Sequence, residues 1–204
     1  MEPPASKTRV IRATLDLLSK SGLAGAGIKQ VAAASAVPEG SVSQLFPGGR
    51  LELATVALEE AERGIGQWFR EVFHQRKSIA RKVELLFTDA ARNVEASEFM
   101  KGCPVAAVTL DLDRDSERLR AVCRTIFLNW QDIIAAGLGE VPKAKRREAA
   151  ELILATLEGA LILSRAEGTK EPLLRGGRIL GDALARRFQA VPPRRKAKSR
   201  RRRA

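Results

Sequence analysis

Apolar side chains recur at helical spacing along most of the chain. Ile28, Val31 and Ala32 fall at positions i, i+3 and i+4, which form one face of a helix. Val42 and Phe46 lie four residues apart and form a second apolar face shortly afterwards. No stretch of β-branched alternation is long enough to indicate a strand, and alanine, leucine, arginine and glutamate dominate. The sequence therefore predicts an all-α protein.

Longer periodic stretches predict the remaining helices, which differ from the two short ones in having enough apolar positions for a core of their own. Apart from the two short segments, helices are predicted over 6–20, 50–74, 78–94, 104–110, 116–137, 143–165 and 172–190.

The two short segments are neighbours within residues 22–53. A helix of seven or eight residues is not stable alone in water, so each must pack on the other and on a third helix. In such a unit the second helix projects from the surface, as in the helix-turn-helix arrangement that reads a DNA major groove. Gly27 is placed to cap the first helix, Val37 to enter the core from the turn, and Pro38 to open the second helix. We therefore expect a DNA-binding regulator.

At this point the chain resembles the tetracycline-repressor (TetR/AcrR) family of bacterial regulators. Specific signals cover about forty-five residues of the N-terminal part. They are Ile11, Ala13, Leu17 and Leu18, then Gly22-Leu23, Ile28-Lys29-Gln30-Val31-Ala32, Val37-Pro38-Glu39-Gly40-Ser41-Val42 and Phe46-Pro47-Gly48-Gly49-Arg50-Leu51-Glu52-Leu53.

The rest of the chain is similar to one branch of that family, the LmrA/YxaF repressors. Individually weak signals carry this likeness through their order and spacing: Lys101-Gly102-Cys103-Pro104-Val105, Trp130, Glu158-Gly159-Ala160 and Pro172-Leu173-Leu174. The resemblance implies a homodimeric, ligand-responsive repressor that binds a palindromic operator and is released by a small apolar effector. Its two recognition helices would enter successive major grooves about 34–36 Å apart.

The resemblance also implies a division of the chain. Residues 1–50 would form a three-helix DNA-binding domain that contains the helix-turn-helix, and residues 51–191 a helical domain for ligand binding and dimerisation. Residues 192–204 would form a disordered basic tail after Pro192-Pro193.

Two positions depart from the family pattern. Ser43 stands where the family usually has a tyrosine that contacts a DNA phosphate, and the chain contains no tyrosine. That contact is therefore shortened or lost. Ala36 stands where the family favours glycine, and if this position keeps a positive φ, alanine costs roughly 1 kcal/mol that glycine does not.

The polar residues of the helix-turn-helix are the candidate DNA contacts. By resemblance, Lys29 and Arg50 should lie near helix starts where phosphates dock. Gln44 is the best candidate for reading a base, because its amide can pair with adenine through two hydrogen bonds. Each residue taken alone is also consistent with an ordinary exposed position. The full set is Lys29, Pro38, Glu39, Ser41, Ser43, Gln44 and Arg50.

Larger apolar residues of the C-terminal part are candidates for an effector pocket, although apolar residues at helical spacing usually belong to a core. The candidate pocket residues are Trp68, Phe87, Phe99, Met100, Cys103, Phe127, Trp130 and Leu157. The last two long helices are candidates for a dimer interface, because small residues allow close approach and large ones supply apolar area. These interface residues are Ala155, Gly159, Ile162, Gly177, Leu180 and Leu184.

The formal charge of +12 is concentrated near the C-terminus. Residues 194–203 carry eight basic side chains and no acidic one, which leaves +4 for the rest of the chain. Such a run grips DNA phosphates without sequence preference or simply adds solubility. It also supports an alternative of another class, a nucleoid-like helical protein that binds DNA through charge alone.

Other classes have little support in the sequence. The chain has one histidine, two cysteines and no glycine-rich phosphate loop between a strand and a helix, so neither an enzyme, a cofactor nor a metal site is expected. The start of the chain lacks the apolar segment of a signal peptide, and 152–163 is too short and polar to span a bilayer. We expect a cytoplasmic protein whose partners are double-stranded operator DNA, a second copy of itself and a small effector.

Overall fold

The computed structural model describes residues 5–114 and 116–188. These residues form helices joined by short turns, and no strand occurs among them, so the all-α prediction is confirmed. The predicted basic tail, 192–204, lies outside the described residues. The helices are α1 (Ala5–Ser21), α2 (Ile28–Ser35), α3 (Glu39–Leu45), α4 (Gly49–Phe73), α5 (Ile79–Ala96), α6 (Pro104–Leu110), α7 (Glu117–Ala136), α8 (Arg146–Glu167) and α9 (Glu171–Phe188).

Local signals explain where several helices begin and end. The Ser78 side chain accepts a hydrogen bond from the backbone N–H of Arg81 and so caps α5. Gly168 ends α8 in the left-handed conformation, with φ of +64°. The predicted helix over 143–165 instead begins with a 3₁₀ turn, Lys143–Lys145, and continues as α8 two residues further than expected.

Two apolar clusters divide the described residues. The smaller one lies under α2 and α3 and is formed by Val10, Val31, Ala32, Val37, Val42, Phe46 and Leu53. The larger one is formed mainly by residues of the helices from α4 through α9, and Leu18 of α1 also belongs to it. Because α1 and α4 contribute residues to both clusters, these two helices join them.

The larger cluster is built around the pairing of α5 and α9, which requires glycine on α9. A Cβ atom at Gly177 would lie 2.5 Å from Cβ of Phe87, and one at Gly181 would lie 2.8 Å from the carbonyl oxygen of Ala80. Either contact is shorter than van der Waals packing allows, so only glycine lets the two helices approach this closely. None of the described helices is long and apolar enough to cross a membrane.

Candidate nucleic-acid interface and ligand cavity

The turn between α2 and α3 has a strained backbone at Ala36, the position that the sequence analysis singled out. Gly27 caps α2 from an extended conformation, and Ala36 ends it with φ of 52° and ψ of 40°. The prediction that Ala36 costs roughly 1 kcal/mol depended on this positive φ, which the structure has. The backbone N–H of Val37 then donates to the carbonyl oxygen of Ala32 at 3.2 Å, which directs the chain into α3.

Three apolar side chains from the turn and from α3 fix this unit on the rest of the protein. Val37, Val42 and Phe46 are almost completely buried against Val10 of α1 and Leu53 of α4. Burial of such side chains contributes roughly 1.5–3 kcal/mol each, which is enough to order two helices that are too short to persist alone. The position of α3 is therefore set by packing on its inner side.

The opposite side of α3 is exposed to solvent. Ser43 and Gln44 are exposed, as are Pro38 and Glu39 at the start of the helix, whereas Ser41 is half-buried. Gly40 adds no bulk there, and a Cβ at its position would meet nothing within 4 Å. The helix therefore presents short and amide side chains on its exposed face, and an α-helix fits into the DNA major groove.

Lys29 and Arg50 lie on the two helices that precede and follow α3 in the chain. Lys29 is the second residue of α2 and Arg50 the second residue of α4, and both side chains are exposed. The turn before Arg50 is held by Glu52, whose carboxylate accepts a hydrogen bond from the backbone N–H of Gly48 at 2.7 Å. The sequence analysis missed this role of Glu52, which its position four residues after Gly48 could have suggested.

A cavity of about 490 Å³ lies between α1, α4, α5, α7, α8 and the segment that leads into α6. Four of the eight predicted pocket residues line it: Trp68, Cys103, Trp130 and Leu157. Further apolar walls come from Leu15, Ile65, Phe69, Val94 and Leu161. Its size is within the range of small-molecule sites in proteins.

The other four predicted pocket residues lie outside this lining. Phe87 is buried beneath the glycines of α9, and Phe127 stands edge-on behind Trp130 with its ring centre 5.7 Å away. Phe99 is half-buried in the turn after α5, and Met100 is 57% exposed. Helical spacing identifies side chains that face inward, but it does not distinguish those that border a cavity from those packed on all sides.

One acidic residue that the sequence analysis did not select also lines the cavity. Glu158 lies on α8 beside Leu157, and burial raises the pKa of its carboxyl group to about 7. A hydrogen bond with the Cys103 side chain partly opposes that increase. Burial and the nearby Glu158 carboxyl together raise the pKa of the Cys103 thiol well above its usual value, so this cysteine is protonated.

The cavity wall is connected directly to α1. The backbone N–H of Gly102 donates to the carbonyl oxygen of Ser19 at 2.9 Å. Lys101 forms an ion pair with Asp16 at 2.5 Å. Partial burial raises the pKa of Asp16, but hydrogen bonds with Lys101 and Lys20 lower it by more. The pKa of Asp16 is therefore below its usual value.

A second connection joins α6 to the start of the helix-turn-helix. The Asp111 carboxylate, at the end of α6, accepts a hydrogen bond from the backbone N–H of Leu23 at 2.6 Å. Gly22, with φ of +62°, has no room for a side chain here, because a Cβ atom would lie 2.2 Å from the same carboxylate. The segment between α1 and α2 is thereby fixed to the C-terminal part.

Comparison with known proteins supports the assignment suggested by this geometry. Residues 79–178 match the family described as "Transcriptional regulator LmrA/YxaF-like, C-terminal domain". The HTH-type transcriptional regulator LmrA of Bacillus subtilis is 25% identical over 183 residues, which cover 89% of this chain and 97% of LmrA. The HTH-type transcriptional regulator YxaF of the same species is 26% identical over 171 residues, which cover 83% of this chain and 90% of YxaF.

The chain belongs to the TetR family, in its LmrA/YxaF-like branch. Members of this family are DNA-binding transcriptional regulators, and the relatives matched here carry the names of regulators rather than of enzymes. Solved structures show the same fold. The regulatory protein TetR from Rhodobacter sphaeroides has a TM-score of 0.79 at 20% identity, with 87% of this chain and 97% of that chain covered. A TetR regulator from Legionella pneumophila has a TM-score of 0.78, with 90% and 99% covered.

The candidate interface residues of this TetR-family protein fall into two groups. Gly177, Leu180 and Leu184 are buried in the subunit core, because α9 packs on α5 through that side. The prediction that Leu180 and Leu184 supply free apolar area was therefore wrong, and the close approach that Gly177 allows is to Phe87 of α5 in the same subunit. Ala155, Gly159 and Ile162 are exposed on α8. They share the surface of the last two helices with exposed apolar residues that the sequence analysis did not select, namely Leu152, Leu163 and Ile179.

Proposed function

We propose that this protein is a homodimeric repressor that binds a palindromic operator through α3 and is released when a small apolar molecule occupies the cavity. The observation that carries the proposal is the outward face of α3, held rigid by Val37, Val42 and Phe46 from behind. A rigid, exposed helix is the element that helix-turn-helix proteins insert into the major groove.

The proposed contacts follow from the position of each side chain on this face. Gln44 and Ser43 would contact base edges, because they are exposed near the middle of α3. Lys29 and Arg50 would contact phosphates on either side and so fix the register of the helix in the groove. Pro38, Glu39 and Ser41 would lie at the edge of the same surface.

The proposed dimer interface is the exposed apolar surface of α8 and α9. Leu152, Ile162, Leu163 and Ile179 are each about half exposed, which is unusual for four large apolar side chains on two neighbouring helices. Gly159 meets nothing within 4 Å of its Cβ position, so a second helix has room to approach there. Pairing of these helices with their symmetry mates would bury the surface in a four-helix bundle.

The proposed ligand response uses the contacts between the cavity and α1. A ligand that moves the Lys101–Pro104 segment would act on Asp16 and Ser19, and the Asp111 bond to Leu23 would carry a shift of α6 to the helix-turn-helix. In this view residues 1–50 form the DNA-binding unit and residues 51–191 the regulatory one. Because a ligand can shift an equilibrium only by its difference in affinity for the two states, operator DNA must weaken ligand binding by the same factor.

The experiment that tests the proposal is selection of bound DNA from a random pool in the presence of excess unrelated competitor DNA. A dimeric regulator enriches one palindrome whose half-sites are about one helical turn apart. A protein that binds through charge alone enriches no sequence, because phosphates carry no sequence information. Enrichment of a non-palindromic site would support DNA recognition but contradict the dimeric arrangement.

A further inference from the structure

The cavity combines aromatic walls with a single interior carboxyl group. Trp68 and Phe69 have ring centres 5.1 Å apart, and Phe69 meets Trp130 edge-on at 5.7 Å. The indole N–H of Trp130 donates to the carbonyl oxygen of Glu62 at 3.3 Å, and that of Trp68 approaches the Asp89 carboxylate at 3.5 Å. Since both N–H groups are directed to partners within the protein, these walls offer a ligand aromatic surface rather than polar groups.

The ionisable groups around the cavity differ in where they lie. Arg12, Glu60 and Lys101 are exposed at its mouth. Glu60 pairs with Arg63 at 2.5 Å, and Lys101 pairs with Asp16 at the same distance. Charges in these exposed positions are screened by water, and those of Glu60 and Lys101 are also balanced by neighbours.

Glu158 differs from these groups because its side chain is half-buried in the cavity wall rather than exposed. It is flanked on α8 by Leu157 and Leu161, which also line the cavity, and its polar neighbour is the uncharged thiol of Cys103 at the start of α6. Among the described residues no basic side chain forms an ion pair with it. Partial burial of a carboxylate without a cation is unfavourable, so the group keeps a proton up to about neutral pH.

We propose that the cavity binds a lipophilic organic cation, with the charge beside Glu158 and the apolar body against Trp68, Phe69 and Trp130. This inference rests on the proposed ligand response and names the chemical class of the effector. A cation supplies the missing counter-charge for the ionised carboxylate in a poorly solvated site, where such a pair is stronger than at the surface. The aromatic rings add attraction between the cation and their π faces.

The proposal predicts a clear order among ligand classes. A neutral molecule of the same shape gains the apolar contacts but no attraction to an ionised Glu158, because the carboxyl group stays protonated beside it. An anion faces the carboxylate directly and is disfavoured. A permanent cation also displaces the Glu158 proton below about pH 7, so its binding strengthens as the pH rises toward that value. The other groups near the site are Cys103, which stays protonated, the half-buried Asp16, and the exposed Arg12, Glu60 and Lys101.

The test compares two probes of equal shape by calorimetric titration of the full-length protein. Phenyltrimethylammonium carries the charge, and tert-butylbenzene is its neutral carbon counterpart. We expect wild-type protein to bind the cation at least tenfold more tightly than the hydrocarbon. Equal binding, preference for the hydrocarbon, or binding of neither probe at millimolar concentration overturns the proposal, and this comparison needs no variant.

Two variants then assign the preference to one carboxyl group. Glu158→Gln should reduce cation affinity at least tenfold and leave binding of tert-butylbenzene within about twofold. The matched control is Glu151→Gln, which makes the same change at an exposed position of α8 outside the cavity lining and should leave both affinities within about twofold. An unchanged cation affinity in a folded Glu158→Gln protein, or an equal loss in Glu151→Gln, also overturns the proposal.

The same samples separate this inference from the proposed function. Operator release is measured by fluorescence anisotropy of labelled operator DNA at saturating cation. Cation binding through Glu158 without operator release contradicts the ligand-responsive function but supports the assignment of the site. Operator release by neutral molecules alone supports the function and overturns the assignment.

Discussion

At the scale of single residues, the proposed DNA-binding face and the cavity depend on side chains in different surroundings. Gln44 is exposed and is held in place only by the packing of α3 behind it. Glu158 is half-buried, and its protonation depends on that partial burial. The first residue is therefore tested through binding to DNA, and the second through stability and its dependence on pH.

Replacement of Gln44 with alanine should weaken operator binding by roughly 1–3 kcal/mol and leave binding to random DNA unchanged. The reason is that an amide contact to a base contributes only where the correct base is present. Anisotropy titrations of both DNAs measure the difference. Gln67→Ala, at an exposed position of α4 away from the helix-turn-helix, is the control and should change neither affinity. Equal losses on both DNAs would show that Gln44 does not read bases.

Replacement of Glu158 with glutamine should remove part of the pH dependence of stability. Because the folded pKa of about 7 lies above the model value of 4.5, the folded state holds the proton more tightly. The free energy of unfolding therefore falls as the pH rises from about 4.5 to about 7, by up to about 3 kcal/mol, and this change is complete above that range.

Urea unfolding at pH 5 and pH 8 measures this effect. Wild-type protein should lose stability between the two values relative to Glu158→Gln, since other titrating groups contribute equally to both proteins. Glu151→Gln, at an exposed position of α8, should behave as wild type. Parallel pH profiles for wild type and Glu158→Gln contradict the assigned pKa.

At the scale of helices, the sequence contained most of the information about the helix-turn-helix but less about the C-terminal part. In α2 and α3, spacing, the cap at Gly27 and the turn at Pro38 act within a few residues of each other, so local rules predicted them. Gly177 and Leu180 were misassigned to a free surface because their burial depends on α5, about ninety residues earlier. Glu158 was missed because its importance comes from a cavity whose other walls lie on α1, α4, α5 and α7.

Replacement of Ala36 with glycine should stabilise the protein by roughly 0.5–1 kcal/mol, because glycine adopts positive φ without steric cost. The control is Ala33→Gly in the exposed interior of α2, where glycine should destabilise by about 1 kcal/mol. Thermal or urea unfolding gives both values. If both substitutions destabilise equally, the turn at Ala36 has no strain to relieve.

At the scale of the whole molecule, the proposed function requires two copies of α3 at a fixed separation. The exposed apolar residues of α8 and α9 supply a surface for that pairing. The hydrogen bonds from residues at the two ends of α6 to residues at the end of α1 connect the C-terminal part to the DNA-binding part. Neither a single subunit nor a single half-site is expected to bind tightly.

Replacement of Gly159 with glutamate should separate the subunits, because like charges would meet near the two-fold axis where α8 approaches its mate. Its side chain has open space in the single subunit, so folding should be preserved. Sedimentation should show a monomer, and operator binding should fall to the level of random DNA although the reading face is untouched. Glu167→Gln, another exposed change on α8, is the control. A stable dimer with glutamate at position 159 would place the interface elsewhere.

The central claim is that this protein recognises a sequence rather than the charge of DNA, and the ratio of two affinities tests it most directly. Anisotropy titrations at physiological salt compare the selected operator with a scrambled duplex of the same length and composition. A specific regulator of this kind should bind the operator about a thousandfold more tightly or better, and scrambling one half-site should remove most of that preference. A ratio near one, with both affinities falling equally as salt is raised, would contradict the account.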